Sequence, residues 1–423
     1  MKVLNLTTFI LFLSILGNCA NGLKAEAKTR LPKHLETNLE TKVFVARVNN
    51  SLGNNQHKAV AYLNSGNQNY QKGKLQDALK YYSLAIQAYP EYVDAYYQRG
   101  ITHHHLKNYH GAIEDFNRAL KIDPVHPEIY ISRGNAYDDL GNREKAISDY
   151  NEALKLSPTY ASAYLNRGIT YFRKQDYQQA IADFTQALQI NPKLIDAYYY
   201  RGNVRYDLKE YQQAIADFSQ AIQINPQYTK VYSNRGLAQY KLGNNQQAIK
   251  DYNKVLELKP KDIYTYFNRA LARNNIQDYH GAISDFNQVL KHNPQDIQAL
   301  TKRAYTRAEL QDYQGAISDY TQALKINPQN AYIYYNRGNI RAELTDYHGA
   351  VDDYNRSIKL NPHNPQVYGN RGLARYNLED NQGAISDLQK AIEIFKQQGK
   401  EPDIQKALEI IERIQNEKIS SSL

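Results

Sequence analysis

Nine prolines recur along this chain at a constant spacing of 34 residues. The series continues without a gap for 272 residues, from Pro90 to Pro362. A fixed period of this length is typical of arrays of small helical repeats, in which each repeat packs only on its neighbours. The spacing therefore predicts that most of the chain is one helical array. The prolines are Pro90, Pro124, Pro158, Pro192, Pro226, Pro260, Pro294, Pro328 and Pro362.

Small and large residues keep the same register as the prolines. With proline at position 32, ten repeats extend from Ala59 to Gln398, and only the tenth lacks the proline. Position 8 is Gly or Ala and position 20 is always Ala, whereas position 4 is Tyr in nine repeats and position 24 is aromatic in nine. Such a pattern indicates two helices in close contact. The predicted repeats are 59–92, 93–126, 127–160, 161–194, 195–228, 229–262, 263–296, 297–330, 331–364 and 365–398.

Each repeat also carries signals for where its helices begin and end. Position 16 is Asn or Asp in eight repeats, and these side chains accept hydrogen bonds from the free N–H groups of a new helix. The proline at position 32 cannot continue a helix and disfavours helical geometry in the residue before it. Each repeat is therefore predicted to be two helices joined by a short turn. The predicted N-caps are Asn108, Asn142, Asp176, Asn244, Asp278, Asp312, Asp346 and Asp380.

At positions 4, 8, 20, 24, 27 and 32 the repeat resembles the tetratricopeptide repeat (TPR), and the resemblance covers residues 59–398. It implies an all-α fold, a right-handed superhelical solenoid of ten helix-turn-helix repeats, whose first helices line a concave groove. Residues 399–423 are predicted to form a capping helix and tail, because Ile404, Leu408, Ile411 and Ile414 have helical spacing and an array needs a covered end.

Position 7 is arginine and position 23 is aspartate in the same nine repeats, whereas the first repeat has Ser65 and Tyr81 there. Their joint presence and joint absence suggest that the two side chains form a pair, since the guanidinium matches a carboxylate bidentately. Two independent solvated charges are the alternative. A pair inside one repeat is the simpler arrangement, because a pair between repeats would place Arg99 opposite Tyr81 and leave Asp387 alone.

Residues 1–22 have the layout of a secretory signal peptide, with Lys2 as the only charge and a largely apolar run at 3–16 that is short for a membrane span. The segment ending in Cys19, the only cysteine, looks like a bacterial lipobox, so Cys19 is a lipidation candidate. The alternative is ordinary cleavage after Gly22 or Ala27, which would remove Cys19. Both interpretations predict an exported protein, periplasmic or associated with the cell envelope.

Residues 23–58 are polar and are predicted to be a linker. The formal net charge of +9 first suggests nucleic acid as a partner. Lys2 and the linker account for five of these charges, however, and +4 remains over residues 59–423.

Arginines also recur at position 11 in five repeats, where they suggest a surface for an acidic partner or contacts with a neighbouring helix. They are Arg205, Arg273, Arg307, Arg341 and Arg375.

The sequence gives no catalytic, metal-binding or cofactor-binding constellation with suitable spacing. His103, His104 and His105 are consecutive, and neighbouring helical side chains point about 100° apart, so they cannot hold one ion together. A solvated helix end is the expected role of these three residues. The chain is therefore predicted not to be an enzyme and to require no cofactor.

Groove positions 2, 5, 9, 12 and 13, taken from the resemblance, carry apolar and aromatic residues in the middle repeats, which suggests a docking site for a peptide or helix of a protein partner. The alternative is that these rings pack on neighbouring repeats. We expect the protein to be a non-catalytic scaffold of the cell envelope. The alternative is a structural lipoprotein that takes part in envelope assembly or polymer export. An RNA-binding array is disfavoured. The candidate groove residues are Leu165, Ile169, Phe172, Tyr199, Asn203, Tyr206, Leu237, Tyr240, Phe267 and Leu271.

Overall fold

The structure is a computed structural model that describes residues 54–420, with side chains described for residues 55–416. This part of the chain contains 21 α-helices and no strand, which confirms the predicted helical repeats. The helices are α1 Asn54–Gln71, α2 Leu75–Ala88, α3 Val93–His105, α4 Tyr109–Ile122, α5 Pro127–Asp139, α6 Arg143–Leu156, α7 Ala161–Arg173, α8 Tyr177–Ile190, α9 Ile195–Asp207, α10 Tyr211–Ile224, α11 Thr229–Lys241, α12 Asn245–Leu258, α13 Ile263–Asn275, α14 Tyr279–His292, α15 Ile297–Glu309, α16 Tyr313–Ile326, α17 Ala331–Glu343, α18 Tyr347–Leu360, α19 Pro365–Tyr376, α20 Asn381–Gln397 and α21 Glu401–Ser420.

The helices belong to two compact units that divide after residue 166, inside α7. In the first unit, α1 to α6 pack on one another in chain order, and the same holds for α8 to α21 in the second. First helices of successive repeats also touch, as α3 touches α5 and α9 touches α11. Residues 54–58, assigned to the linker from sequence, lie in α1; residues 1–53 fall outside the described part of the chain.

The small residue at position 8 makes room for the ring at position 24. A Cβ added to Gly100 or Gly202 would lie 2.6 Å from the ring of Phe116 or Phe218, closer than van der Waals contact permits. Both rings are fully buried. The two helices of a repeat therefore approach closely because position 8 has no side chain in eight repeats and only a methyl group in the other two, as the pattern of small and large residues predicts.

The turn between the two helices is built the same way in all ten repeats. The residue at position 15 has a positive φ in each, and only three of the ten are glycine: Gly73, Gly141 and Gly243. In repeat 2, the N–H of Lys107 donates to the His104 carbonyl and the N–H of Asn108 to the His103 carbonyl, both at 2.9 Å. This is the Schellman arrangement, which satisfies free carbonyls at a helix end.

The next residue begins the second helix. All eight predicted N-caps occupy the N-cap position, and seven of them accept a backbone hydrogen bond, as Asp278 does from the N–H of Gly281 at 3.0 Å. The prediction is wrong for the side chain of Asn244, whose amide donates to Gln239 Oε1 at 3.0 Å.

The last helix, α21, covers α20. Its residues Ile404, Ile411 and Ile414 are buried against the apolar face of α20, in a cluster that includes Ile394 and Phe395. Leu408, expected from the sequence to be on this buried face, is instead 45% exposed. The described helices include none that is long and apolar enough to cross a membrane.

Candidate partner-binding site

The arginine at position 7 and the aspartate at position 23 form a bidentate ion pair inside each of repeats 2 to 10. In repeat 6, Arg235 Nη2 lies 2.6 Å from Asp251 Oδ1, and Arg235 Nε lies 2.9 Å from Asp251 Oδ2. The aspartates are 1–5% exposed. The within-repeat interpretation is confirmed, and two independent solvated charges are ruled out. The other aspartates are Asp115, Asp149, Asp183, Asp217, Asp285, Asp319, Asp353 and Asp387.

The same arginine also links consecutive repeats through its third donor. Arg235 Nη1 donates to Ser219 Oγ of the preceding repeat at 3.0 Å. Its guanidinium carbon stands 5.6 Å from the ring centroid of Tyr232, in cation–π contact. A serine, threonine or asparagine of the preceding repeat accepts the corresponding bond elsewhere in the array, in repeats 1, 2, 4, 6, 7, 8 and 9. These acceptors include Ser83, Asn117, Thr185, Asn253, Asn287, Thr321 and Asn355.

The arginines at position 11 bind the aspartate of their own repeat. Arg273 Nη1 donates to Asp285 Oδ2 at 2.8 Å and to the Gly281 carbonyl at 3.0 Å, and its Nε is 3.3 Å from Asp278 Oδ2. Arg205, Arg307, Arg341 and Arg375 make the corresponding ion pair. These arginines are therefore engaged by carboxylates of their own repeat rather than left free for an acidic partner.

The three consecutive histidines have three different partners. His104 Nε2 lies 3.0 Å from Asp139 Oδ2, His103 Nε2 lies 3.9 Å from Asp115 Oδ2, and His105 Nδ1 lies 2.7 Å from the Tyr70 hydroxyl. They do not converge on one point. Among the described residues, no group of three metal-ligating side chains is suited to hold an ion.

The candidate groove residues lie on first helices, and none of them is fully exposed. Leu165, in the first compact unit, is buried, as are Tyr199 and Asn203 in the second. The other seven are half-buried: Ile169, Phe172, Tyr206, Leu237, Tyr240, Phe267 and Leu271. Several rings make aromatic contacts, such as the edge-on contact of Phe267 with Phe286 at 5.7 Å between centroids. Cys19 lies outside the described residues.

More exposed aromatic residues lie further along the array. Tyr264, Tyr305 and Tyr332 are 68%, 48% and 61% exposed, and they occupy positions 2, 9 and 2 of repeats 7, 8 and 9. Sequence reasoning missed Tyr305 and Tyr332 because it followed the groove register only as far as repeat 7. Tyr264 lies in repeat 7 itself, at groove position 2, which the candidate residues did not include.

Two buried polar groups beside the candidate groove residues have no hydrogen-bond partner among the described residues. They are Asn203 Nδ2 and the Tyr252 hydroxyl. In repeat 9 the equivalent tyrosine, Tyr354, donates to Asn339 Oδ1 at 2.8 Å. Position 9 of repeat 6 is Leu237, which offers no acceptor, so the Tyr252 hydroxyl is left unpaired.

Family comparisons agree with this architecture. Models described as "TPR repeat" match residues 134–175, 202–243, 304–345 and 338–379, and models described as "Tetratricopeptide repeat" match 93–126, 161–194, 229–262 and 365–398. Together they cover more than half of the chain, and they indicate no enzyme family. A search of the curated proteins finds no match.

Solved structures with similar folds include MamA, at 30% identity over 41% of this chain and 94% of that one, with a TM-score of 0.38. YrrB, described as a TPR protein with an unusual peptide-binding site, is 23% identical over 45% of this chain and 97% of its own, with a TM-score of 0.41. The C-terminal part of a TPR protein from Cytophaga hutchinsonii is 22% identical over 57% and 96%, with a TM-score of 0.49. With its repeating small and large positions, its paired helices and family models that match more than half of its length, the chain belongs to the tetratricopeptide repeat family.

Proposed function

We propose that this protein is a non-catalytic scaffold of the cell envelope that binds peptide or helical segments of other proteins along its first helices. The observation that carries the proposal is the contrast between the charged and the aromatic side chains of the array. Arginines and aspartates inside the repeats are paired with one another, whereas aromatic side chains at first-helix positions remain exposed. Aromatic residues are enriched where proteins bind one another.

The three exposed tyrosines support this proposal most directly. Tyr264, Tyr305 and Tyr332 occupy first-helix positions in three consecutive repeats of one compact unit. Tyr305 and Tyr332 both raise the pKa of the Tyr320 hydroxyl, and Tyr332 also raises the pKa of Tyr305. A tyrosine ring offers large contact area at a low cost in side-chain entropy, and its hydroxyl can pair with a polar group.

Export is proposed on the strength of residues 1–22. A lipid on Cys19 would tether the scaffold to a membrane, and this is the only membrane association that we propose. Cleavage after Gly22 or Ala27 would instead release the protein as a soluble adaptor. The mass of the mature protein decides between the two. An acylated N-terminal Cys19 would favour the structural role in envelope assembly or polymer export.

Capture of partners from envelope extract tests the scaffold function. The wild-type protein is expected to retain specific proteins, and the variant Tyr264→Ser, Tyr305→Ser, Tyr332→Ser is expected to lose most of them. Val125→Ser is the matched control, because Val125 is 63% exposed but lies in the turn between α4 and α5. Equal capture by all three proteins would contradict the proposed surface, and retention of nucleic acid alone would favour the RNA-binding alternative.

A further inference from the structure

Asp207 is a carboxylate beside tyrosine side chains with no cation to balance it. It ends α9, at position 13 of repeat 5, and it forms no ion pair with any residue of the described chain. The residue is exposed, yet its surroundings remove enough water to raise the pKa of its carboxyl to about 6. Burial and the nearby Asp207 charge also raise the pKa of Tyr177. The Asp207 charge also raises the pKa of Tyr206, its neighbour in the chain.

The same positions in repeats 2 and 3 hold a carboxylate and an imidazole, which form an ion pair when the imidazole is protonated. Asp139 is position 13 of repeat 3, and its Oδ2 lies 3.0 Å from Nε2 of His104, which is position 12 of repeat 2. The His104 ring lies 5.4 Å from the ring of Tyr109, at position 17 of repeat 2. Burial and the Asp139 charge raise the pKa of Tyr109. The Asp139 carboxylate, the His104 imidazole and the Tyr109 phenol therefore form one cluster.

In repeats 4 and 5 the cation of this arrangement is replaced by an apolar ring. Position 12 of repeat 4 is Phe172, whose ring lies 6.1 Å from that of Tyr177, at position 17. The aromatic pair is thus retained, but the phenyl group cannot neutralise Asp207. The Tyr206 ring is held edge-on against Tyr211 at 5.4 Å, so the second aromatic neighbour of the carboxylate is also fixed.

A partly dehydrated carboxylate next to fixed aromatic rings suits a cation carried on an apolar stem. The carboxylate would accept charge-assisted hydrogen bonds, the ring faces attract a cation, and the methylene groups of Lys or Arg pack on apolar surface. We propose that Asp207, Phe172, Tyr177 and Tyr206 form a recognition site for one Lys or Arg side chain of a protein partner. This inference rests on the proposed function and names the chemistry that one part of the partner-binding surface selects.

Two short peptides test the site: acetyl-Ala-Ala-Lys-Ala-Ala-amide and the same peptide with glutamine in place of lysine. Measured by saturation-transfer NMR on the full-length protein, the lysine peptide is expected to bind at least 10-fold more tightly than the glutamine peptide. Asp207→Asn is expected to abolish this difference. Asp139→Asn is the matched control and is expected to retain it, because Asp139 already pairs with His104.

Exchanging position 12 between the two places gives a second, reciprocal test. Phe172→His supplies an internal partner for Asp207 and is expected to weaken binding of the lysine peptide at least 5-fold at pH 6. His104→Phe removes the partner of Asp139 and is expected to raise the number of lysine-peptide sites from one to two. Unfolding cannot produce such a gain of binding, so this result would distinguish a real site from the effect of an unstable variant.

Equal binding of the two peptides by the wild-type protein would overturn the proposed site, and so would equal losses in Asp207→Asn and Asp139→Asn. Capture of a protein partner that is unaffected by Asp207→Asn would also overturn it, while the proposed scaffold function would stand. Preference for the lysine peptide in a protein that captures no envelope protein would have the opposite meaning: the cation site would stand and the scaffold function would fail.

Discussion

Replacing Arg235 by leucine separates the contribution of one buried ion pair from that of the array around it. The change removes two hydrogen bonds to Asp251, of 2.9 and 2.6 Å, and one to Ser219 of 3.0 Å. Asp251 is 5% exposed and has no other arginine, since position 11 of repeat 6 is Gln239. A buried charge left without its partner costs about 3–5 kcal/mol, and the partial exposure of Arg235 favours the lower value, about 3 kcal/mol.

Repeat 7 provides the matched control. There, Arg269→Leu removes the equivalent bonds to Asp285, but Arg273 still donates to Asp285 Oδ2 at 2.8 Å. The remaining charge partner should reduce the loss to about half, roughly 1.5 kcal/mol. The double variant Arg235→Leu, Asp251→Tyr removes both charges and should recover most of the loss in repeat 6.

The assay must resolve single repeats, because a long array can unfold in parts. Chemical denaturation gives the overall change, and hydrogen exchange of amides in α12 and α14 gives the local free energy of opening. Equal losses for Arg235→Leu and Arg269→Leu would refute the reasoning about the second arginine. Rescue of Arg235→Leu by Asp217→Tyr, and not by Asp251→Tyr, would refute the pairing itself.

Three further outcomes are expected. Tyr252→Phe should leave the free energy of unfolding unchanged or raise it, because the removed hydroxyl has no partner among the described residues. Tyr354→Phe should lower the free energy of unfolding by about 1 kcal/mol, because it removes the hydrogen bond to Asn339. Equal denaturation midpoints for the two variants would contradict this expectation. Gln277→Gly should stabilise by roughly 1 kcal/mol, because Gln277 has a φ of 63°, and a lower melting temperature would count against it. Deleting residues 403–423 should expose the apolar face of α20 and increase aggregation in light scattering; unchanged melting and solubility would show that α21 does not cap the array.

The sequence by itself determined the period, the helix pairs and the ion pair inside each repeat. These features were readable because each local rule acts in every repeat: Gly at position 8 opposite a ring, Asp at position 16 before a helix, Arg at position 7 wherever position 23 is Asp. Repetition separates such rules from chance. The exposed Tyr264 and Tyr332 also lie at position 2 of their repeats, one of the groove positions that the sequence register specifies.

Only the tertiary structure decided the contacts that side chains make beyond the Arg–Asp pair of each repeat. The arginines at position 11 fold back onto aspartates already paired, and Leu237 leaves Tyr252 without an acceptor. Asp139 and Asp207 occupy the same position of their repeats, yet one meets His104 and the other lies beside the Phe172–Tyr177 ring pair. The physical reason is that a side chain's surroundings come partly from the preceding repeat, about 34 residues away, so its charge balance depends on a contact that no single repeat encodes.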